Sequence, residues 1–266
     1  MGLLVMILGL VLFFGVHTLT TRRQLRASFV ASMGEGGYKI GYSLASVAGL
    51  ALIVALAACG PQPPDAASLL KQSSEHMLAL KGFHFQMQIT GFTGGSVPVQ
   101  SAQGDAHPPD LHARVNLKEG TILLEVEVVF AADKVYLKSF TGGWQQLTDA
   151  QVGAFFDART LFDPQTGLFA AMRETTSPTR GNSEKIADHD TYPVAGQVSA
   201  APMHQLLTLI RDQGTYQATY WIESPGSNLW RARLTGNLFD ASKAATITFD
   251  FSNHDHSVSV TPPPLG

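Results

Sequence analysis

The chain has 266 residues, a formal net charge of −3 and only 15% charged residues. Ordinary soluble domains carry about 25% charged residues, so this composition predicts apolar segments beyond those of a normal core. Slight acidity, without a cluster of lysine and arginine after residue 59, argues against nucleic acid as a partner. That region has about 200 residues, enough for one domain with a sizeable core.

Two apolar runs, Gly2 to Val16 and Leu44 to Ala58, lie on either side of a basic stretch. Each is shorter than the roughly 20 residues that a membrane-spanning helix prefers. The positive-inside rule places the stretch between them, expected to be a loop, in the cytoplasm. The second run then enters the membrane from the inside and ends at the outer face. The basic residues of this stretch are Arg22, Arg23, Arg26 and Lys39.

The second run ends in Leu56-Ala57-Ala58-Cys59, and Cys59 is the only cysteine. It cannot form an internal disulfide, and a thiolate is the nucleophile that accepts a lipid. The segment resembles a bacterial lipobox, which implies a diacylglyceryl or acyl lipid on Cys59, cleavage before Cys59 and a membrane-anchored domain facing outside or the periplasm. The alternative is a transmembrane helix that happens to contain Ala-Ala-Cys.

Three segments before residue 53 resemble the start of the NnrU family of membrane proteins. They are Phe13 to His17, Met33 to Lys39 and Tyr42 to Leu50. Only the first part of that family is present, so no function follows from the resemblance. Either the signal region arose by fusion with such a fragment, or the chain starts at Met33 with an ordinary signal peptide. We expect a membrane or signal region at 1–58, a lipidated tether at 59–65 and an exported domain at 66–266.

The exported domain is predicted to begin with a helix followed by a strand. Asp65 is a suitable N-cap for a helix from Ala66 to Leu80. Phe83 to Ile89 alternates apolar and polar residues, which predicts a strand with one buried face. Gly91 to Pro109 is rich in glycine, serine and proline and is predicted to be irregular or weakly stranded.

The clearest strand runs from Ile122 to Phe130. Glu125 and Glu127 share its polar face, and we interpret them as the wet side of a sheet rather than as paired catalytic carboxylates. Strands are also predicted at Leu111 to Lys118 and Val135 to Phe140, and the short links between them favour an antiparallel meander. The apolar face of the central strand consists of Ile122, Leu124, Val126, Val128 and Phe130.

From Asp149 to Glu174 the chain is aromatic-rich and helix-prone, with breaks at Asp163-Pro164 and Gly167. Thr175 to Asn182 is predicted to be a polar loop, and Lys185 to Val198 a pair of strands. A helix then starts near Pro202, and its predicted apolar face is Met203, Leu206, Leu207 and Ile210. The closing strands are predicted at Tyr216 to Glu223, Leu229 to Leu234, Ala245 to Phe251 and Ser257 to Val260.

Several short motifs follow in order along this domain. They are Val135 to Lys138 with Gly142-Gly143-Trp144, Asp163-Pro164 with Gly167-Leu168, Tyr220 to Ile222 with Leu229 to Ala232, Thr246 to Phe249, and Val258 to Pro263. Together they resemble the LppX/LprA/LprF/LprG lipoprotein family. The resemblance implies an α+β, LolA-like fold, in which a curved antiparallel sheet forms a half-barrel over helices and leaves an apolar cavity between the two layers.

That family carries lipids and glycolipids across the envelope. The implied function is a membrane-anchored lipid carrier on the outer face of the cytoplasmic membrane, with an envelope transporter as a candidate partner. The alternative is an envelope lipoprotein that binds another protein and has a filled core, because apolar periodicity alone cannot distinguish a core from a lipid cavity. The candidate lining residues are Ile122, Leu124, Val126, Val128, Phe130, Phe155, Phe156, Phe162, Leu168, Phe169, Met172, Leu206, Leu207 and Ile210.

No catalytic pattern was found that would indicate an enzyme. The glycine pairs lack the context of a phosphate-binding loop, and a Gly-x-Ser-x-Gly element is missing. His254-Asp255-His256 and the distant His189 offer metal-ligand atoms, but short polar turns of this kind are common. We therefore expect no cofactor other than the covalent lipid on Cys59, and no metal.

Overall fold

The computed structural model describes residues 2–58, 64–92, 98–139, 142–153 and 158–265. The chain divides into two compact units, Met1–Pro63 and Pro64–Gly266. The described part of the first unit consists of helices α1 (Gly2–Thr21) and α2 (Arg23–Ala58), and α2 bends at Gly34. The basic stretch expected as a loop is therefore largely helical. Among the described helices, none combines the length and apolar character that crossing a membrane requires.

The second unit is built from short helices and longer strands. Its described helices are α3 (Ala66–Ala79), α4 (Asp149–Gly153), α5 (Ala158–Leu161), α6 (Ala170–Arg173) and α7 (Ala200–Leu206). Its described strands are β1 (Phe83–Thr90), β2 (Val99–His107), β3 (Asp110–Glu119), β4 (Ile122–Ala131), β5 (Lys134–Lys138), β6 (Trp144–Gln146), β7 (Thr176–Arg180), β8 (Glu184–Ile186), β9 (His189–Ser199), β10 (Thr215–Glu223), β11 (Leu229–Asp240) and β12 (Lys243–Ser252).

These strands form one open antiparallel sheet in the order β6-β5-β4-β3-β2-β1-β12-β11-β10-β9-β7, and β8 pairs with β9. The pairing of β1 with β12 joins an N-terminal meander to a C-terminal one. Phe85 of β1 lies opposite Phe251 on β12 and opposite Gly104 on β2. The predicted α+β class and the predicted antiparallel meander are both present.

Helix α3 begins at the predicted cap. The Ser68 backbone N–H donates to Asp65 Oδ1 at 3.0 Å, and the Ser68 hydroxyl donates to Asp65 Oδ2 at 2.8 Å. The helix buries Leu69 and Met77 and packs on α6 and on strands β7, β9 and β10. The amphipathic pattern thus identified a helix that covers the C-terminal half of the sheet.

Strand β2 lies in the stretch that we expected to be irregular or weakly stranded. The side chains that it sends to the core are small: Ala102 and Ala106 are buried, and Gly104 lies between them. A Cβ on Gly104 would lie 2.0 Å from the carbonyl oxygen of His112 on β3. The core-facing positions of β2 are therefore small residues, because the backbone of β3 approaches too closely for larger side chains. Small residues do not produce the apolar alternation from which a strand is predicted.

Three other predictions of secondary structure were wrong. Thr176–Arg180, expected in a loop, pairs with β9 as β7. The segment from Ser257 to Val260 joins no strand, and Val260 instead packs on a small cluster formed by Val129, Ala131 and Tyr136. Helix α7 ends at Leu206, so Leu207 and Ile210 follow it in a turn, where the Ile210 N–H donates to Leu207 O at 2.9 Å.

The predicted break at Asp163-Pro164 is confirmed. Asp163 Oδ1 accepts the backbone N–H groups of Gln165 at 2.8 Å and Thr166 at 2.7 Å, which closes a tight turn between α5 and α6. A Cβ on Gly167 would lie 2.5 Å from Asp163 O, so glycine is needed there. The described parts of the aromatic-rich segment, 149–153 and 158–174, consequently fold as short helices around a turn.

Candidate lipid-binding face

The inner side of the sheet carries a packed aromatic core. The ring of Phe83 lies 5.9 Å from Phe162, 5.9 Å from Phe169 and 5.7 Å from Phe251, in edge-to-face arrangements. Phe83 and Phe169 are at most 1% exposed. Such contacts add to the hydrophobic free energy of burial, so this part of the inner face is filled by the protein itself.

Most of the predicted lining residues belong to this core or pack against it. Six of them are buried within it: Phe130, Phe162, Phe169, Met172, Leu206 and Ile210. Three more are partly buried and pack against it: Val128, Leu168 and Leu207. Cys59, Phe155 and Phe156 lie outside the described residues. These placements leave the assignment of a lipid site to these residues a prediction.

The apolar face of β4 continues beyond the core. Exposure along that face rises from 3% at Phe130 to 59% at Ile122, and Val126 and Leu124 between them are half-buried. Leu117 on β3 lies opposite Leu124 and is also half-buried. We call the set Leu117, Ile122, Leu124 and Val126 the open face; among the described residues, none of the four packs against the core cluster.

Two small cavities lie among the described residues, and both have polar walls. One of about 220 Å³ is lined largely by polar residues of the sheet, such as Gln86, Gln103 and Asp250. The other, of about 400 Å³, lies at the C-terminal end of α3 and is lined by His76, Ala79, Leu80, Gly226, Asn228, His254 and Asp255. Neither is the enclosed apolar cavity that the family resemblance implies, so that cavity stays a prediction.

The opposite face of β4 is polar, as the alternation predicts. Glu127 Oε2 lies 3.2 Å from His112 Nε2, and Glu127 Oε1 accepts from Lys138 Nζ at 3.4 Å. Burial raises the pKa of Glu127, but the bonds from His112 and Lys138 outweigh burial and hold that pKa below its ordinary value. Glu125 is exposed. The two glutamates therefore differ in environment, and Glu127 belongs to an ion-pair cluster across β3, β4 and β5.

A second polar group joins two of the histidines considered above as metal ligands to a tryptophan and a glutamate. His189 stacks on Trp230 with ring centroids 3.7 Å apart, and His189 Nδ1 lies 3.5 Å from Glu223 Oε1. Trp230 Nε1 donates to Glu223 Oε2 at 3.4 Å. His254 packs edge-on against Trp230, with centroids 4.6 Å apart. No local motif could reveal this cluster, because its members come from β9, β10, β11 and the C-terminal segment.

The histidines of this cluster do not assemble a metal site with their neighbours. His254 Nε2 donates to Leu229 O at 2.9 Å, and burial lowers the pKa of His254, which favours the neutral ring. Within the described ranges, no group of three or more histidine, cysteine, aspartate or glutamate side chains is arranged to hold a metal ion.

Comparison with protein families gives two matches along the chain. The model of the LppX_LprAFG lipoprotein family matches residues 65–260. The model of the NnrU protein family matches residues 5–83. The first match covers most of the second unit, and the second overlaps it through α3.

Individual relatives agree with the first match. The chain is 23% identical over 228 residues to the lipoarabinomannan carrier protein LprG of Mycobacterium tuberculosis, covering 84% of this chain and 94% of that protein. It is 26% identical over 206 residues to lipoprotein LprA of the same organism, covering 75% and 82%. These relatives are named as lipoproteins or carriers rather than as enzymes.

Two crystal structures resemble the second unit in fold. LprF from Mycobacterium bovis aligns with a TM-score of 0.61 at 21% identity and covers 77% of this chain and 100% of that one. LppX from Mycobacterium tuberculosis aligns with a TM-score of 0.54 at 18% identity and covers 74% and 98%. At these identities the likeness supports the fold, and it confirms the predicted α+β fold of this family.

Proposed function

This chain belongs to the LppX_LprAFG lipoprotein family, and from that membership we propose that it is a lipid-anchored carrier. Its cargo would be lipids or glycolipids with acyl chains. Its place would be the outer face of the cytoplasmic membrane, with the anchor on Cys59 and an envelope transporter as a candidate partner. The relative LprG is named as a lipoarabinomannan carrier, which supports a cargo of the glycolipid class.

The observation that carries the proposal is the open face. A strand face that is apolar from Phe130 to Ile122 is covered by core residues at one end and exposed at the other. Removing each acyl methylene from water contributes about 0.8 kcal/mol. Ten methylenes laid along this face would contribute about 8 kcal/mol before the costs of association. Such a site needs few polar groups and no catalytic residue.

Two observations favour the protein-binding alternative. The aromatic core around Phe83 is filled, and both of the cavities given above have polar linings. An open apolar sheet face can also receive a protein segment. The two functions differ in what accompanies the purified protein, namely acyl lipid or another polypeptide.

Bound lipid is the direct test of the carrier proposal. The full chain, purified in mild detergent, is extracted with organic solvent and the extract is analysed by mass spectrometry. We expect acyl lipid that is not covalently attached, in roughly equimolar amount to the protein. Repeated recovery of no such lipid, together with no uptake of a fluorescent acyl probe, would support the protein-binding alternative instead.

The anchor has its own test. The intact mass of the protein from membranes should correspond to a chain that begins at Cys59 and carries acyl groups. Cys59→Ser should leave an uncleaved chain, because the acceptor thiol is gone. A wild-type chain that keeps residues 1–58 without lipid would overturn the anchor and leave the cargo proposal standing.

Orientation is tested with a reporter that is active only outside the cytoplasm. An alkaline phosphatase fusion after Asp65 should be active, and a fusion near Ser28 should be inactive, since the arginine-rich stretch is expected inside. The reverse pattern of activity would contradict the proposed location.

A further inference from the structure

The start of β4 exposes two adjacent aliphatic side chains. Ile122 is 59% exposed and Leu123 is 72% exposed, directly after the turn at Gly120 and Thr121 that joins β3 to β4. In the described part of the second unit, the other large aliphatic side chain this exposed is Leu265, at 58%. Adjacent exposed aliphatic side chains at the end of a hairpin do not stabilise the core. Exposed apolar patches of this kind often mark a site that contacts a protein or a membrane.

The two side chains lie on opposite sides of the sheet. Successive residues of a strand alternate in direction, so Ile122 belongs to the open face and Leu123 to the polar face with Glu125 and Glu127. A groove on a protein partner would cover one side of the hairpin. A medium that is apolar all round the hairpin end covers both, and the acyl layer of a bilayer is such a medium.

The charges near the hairpin end suit a lipid surface. Lys118 lies opposite Leu123 in the β3–β4 register and is exposed. A lysine can lay its apolar stem along hydrocarbon while its ammonium stays among lipid phosphates. Glu125 and Glu127 lie farther along β4, away from the turn.

We propose that residues 118–123, which we call the hairpin tip, insert shallowly into the bilayer and pass acyl chains to the open face. The role in cargo transfer depends on the proposed carrier function. Ile122 belongs to both surfaces, so an acyl chain can move from the bilayer to Leu124 and Val126 without crossing water. Six residue steps separate Cys59 from Asp65, and an extended chain of that length reaches about 20 Å, which keeps the domain near the membrane.

The test uses the full, processed chain in vesicles of phosphatidylcholine and phosphatidylglycerol. Lipidation of Cys59 consumes the native thiol, so Leu123→Cys provides one reactive position for an environment-sensitive fluorophore. Nitroxide groups on the upper acyl chain should quench this fluorophore strongly. Lys134→Cys is the matched control, since Lys134 is exposed and lies beyond the other end of β4, a strand of 10 residues. Its fluorophore should remain unquenched.

Two substitutions in the Leu123→Cys chain distinguish insertion of the hairpin tip from non-specific hydrophobic adsorption to the vesicles. Ile122→Ser should lower the insertion equilibrium roughly tenfold, because it removes much of the transfer free energy of one aliphatic side chain. Leu265→Ser removes a similarly exposed aliphatic elsewhere and should change nothing. Equal quenching at positions 123 and 134, or equal effects of the two serine substitutions, would overturn the proposal.

The outcomes also separate this proposal from the carrier function. Recovery of bound lipid without quenching at position 123 would overturn the insertion of the hairpin tip and leave the proposed carrier function standing. Quenching without bound lipid would support the membrane contact and overturn the transfer role. Labelling of the wild-type chain would show that Cys59 is free, and the same pair of positions would then be compared in a Cys59→Ser chain added to vesicles.

Discussion

The two ends of strand β4 share one apolar pattern and meet different surroundings. At the Phe130 end the inner face is covered by the core cluster and is almost fully buried. At the Ile122 end the same face is exposed, and the half-buried Leu124 lies between the two conditions. The difference shows that alternation along a strand determines which face is apolar, whereas the elements packed against that face determine whether it stabilises the fold or remains available to a ligand.

The largest expected effect lies in the core cluster, to which Phe169 and Phe130 both belong. Phe169→Ala should lower the free energy of unfolding by about 3–5 kcal/mol, because it removes a fully buried ring and leaves a cavity. Leu124→Ala at the open end should cost less than about 1 kcal/mol, since a half-buried side chain removes less apolar surface from water in the native state. Denaturant unfolding of the two variants measures the contrast.

One outcome would contradict the predicted difference between these two variants. Similar costs for the two substitutions would mean that the open face is packed as tightly as the core, and its availability to a ligand would be lost. A core substitution that prevents folding can be replaced by Phe169→Leu, which should still cost more than Leu124→Ala.

A smaller effect is expected on the polar side of β4. Glu127→Gln should lower stability at neutral pH by up to about 1 kcal/mol, because it weakens a partly exposed ion-pair cluster with His112 and Lys138. The native pKa of Glu127 lies below its ordinary value of 4.5, so its stabilisation is complete above that value and is lost as the pH falls through the native pKa. Unfolding curves of both proteins should converge in acid; a constant difference at every pH would contradict this account.

The smallest effect is expected at the cap of α3, away from either end of β4. Hydrogen bonds from the Ser68 backbone and hydroxyl hold the pKa of Asp65 below its ordinary value of 3.8. The contribution of its charge is therefore present above 3.8 and is lost on further acidification. Asp65→Asn keeps a capping side chain but should remove this pH dependence from thermal melting. If the pH dependence of thermal melting is unchanged in Asp65→Asn, that dependence arises from other carboxylates.

Much of the fold could be predicted from periodicity and from turns. The alternation from Ile122 to Phe130, the cap at Asp65 and the break at Asp163 are local signals, and each has the expected structure. The family resemblance supplied the fold class, which no single pattern could give. Strand β2 was not clearly predicted, because its core-facing residues Ala102, Gly104 and Ala106 are small. They allow close packing but do not form an alternation of large apolar side chains.

The candidate site was harder to predict. The sequence shows Phe130 and Ile122 as members of one face, yet their burial differs because cover comes from residues distant in sequence. The cluster around Trp230 could not be predicted for the same reason: its partners His189 and His254 are distant in sequence and belong to separate elements. Extended segments such as Ser257 to Val260 also mimic strands. Val260 packs on the small cluster that contains Tyr136, and this uses the same alternation without a ladder of hydrogen bonds.

The central claim is that the open face of β3 and β4 binds acyl chains, and photocrosslinking tests it most directly. The full chain in detergent is equilibrated with a photoreactive fatty acid, so loading does not require a bilayer. Adducts on peptides of β3 and β4 are predicted for the wild type and for Leu123→Asp. They should disappear in Leu124→Asp, which places a charge on the open face while its neighbour Leu123 points to the polar side. Equal crosslinking of the two variants, or adducts confined to other parts of the chain, would contradict the claim.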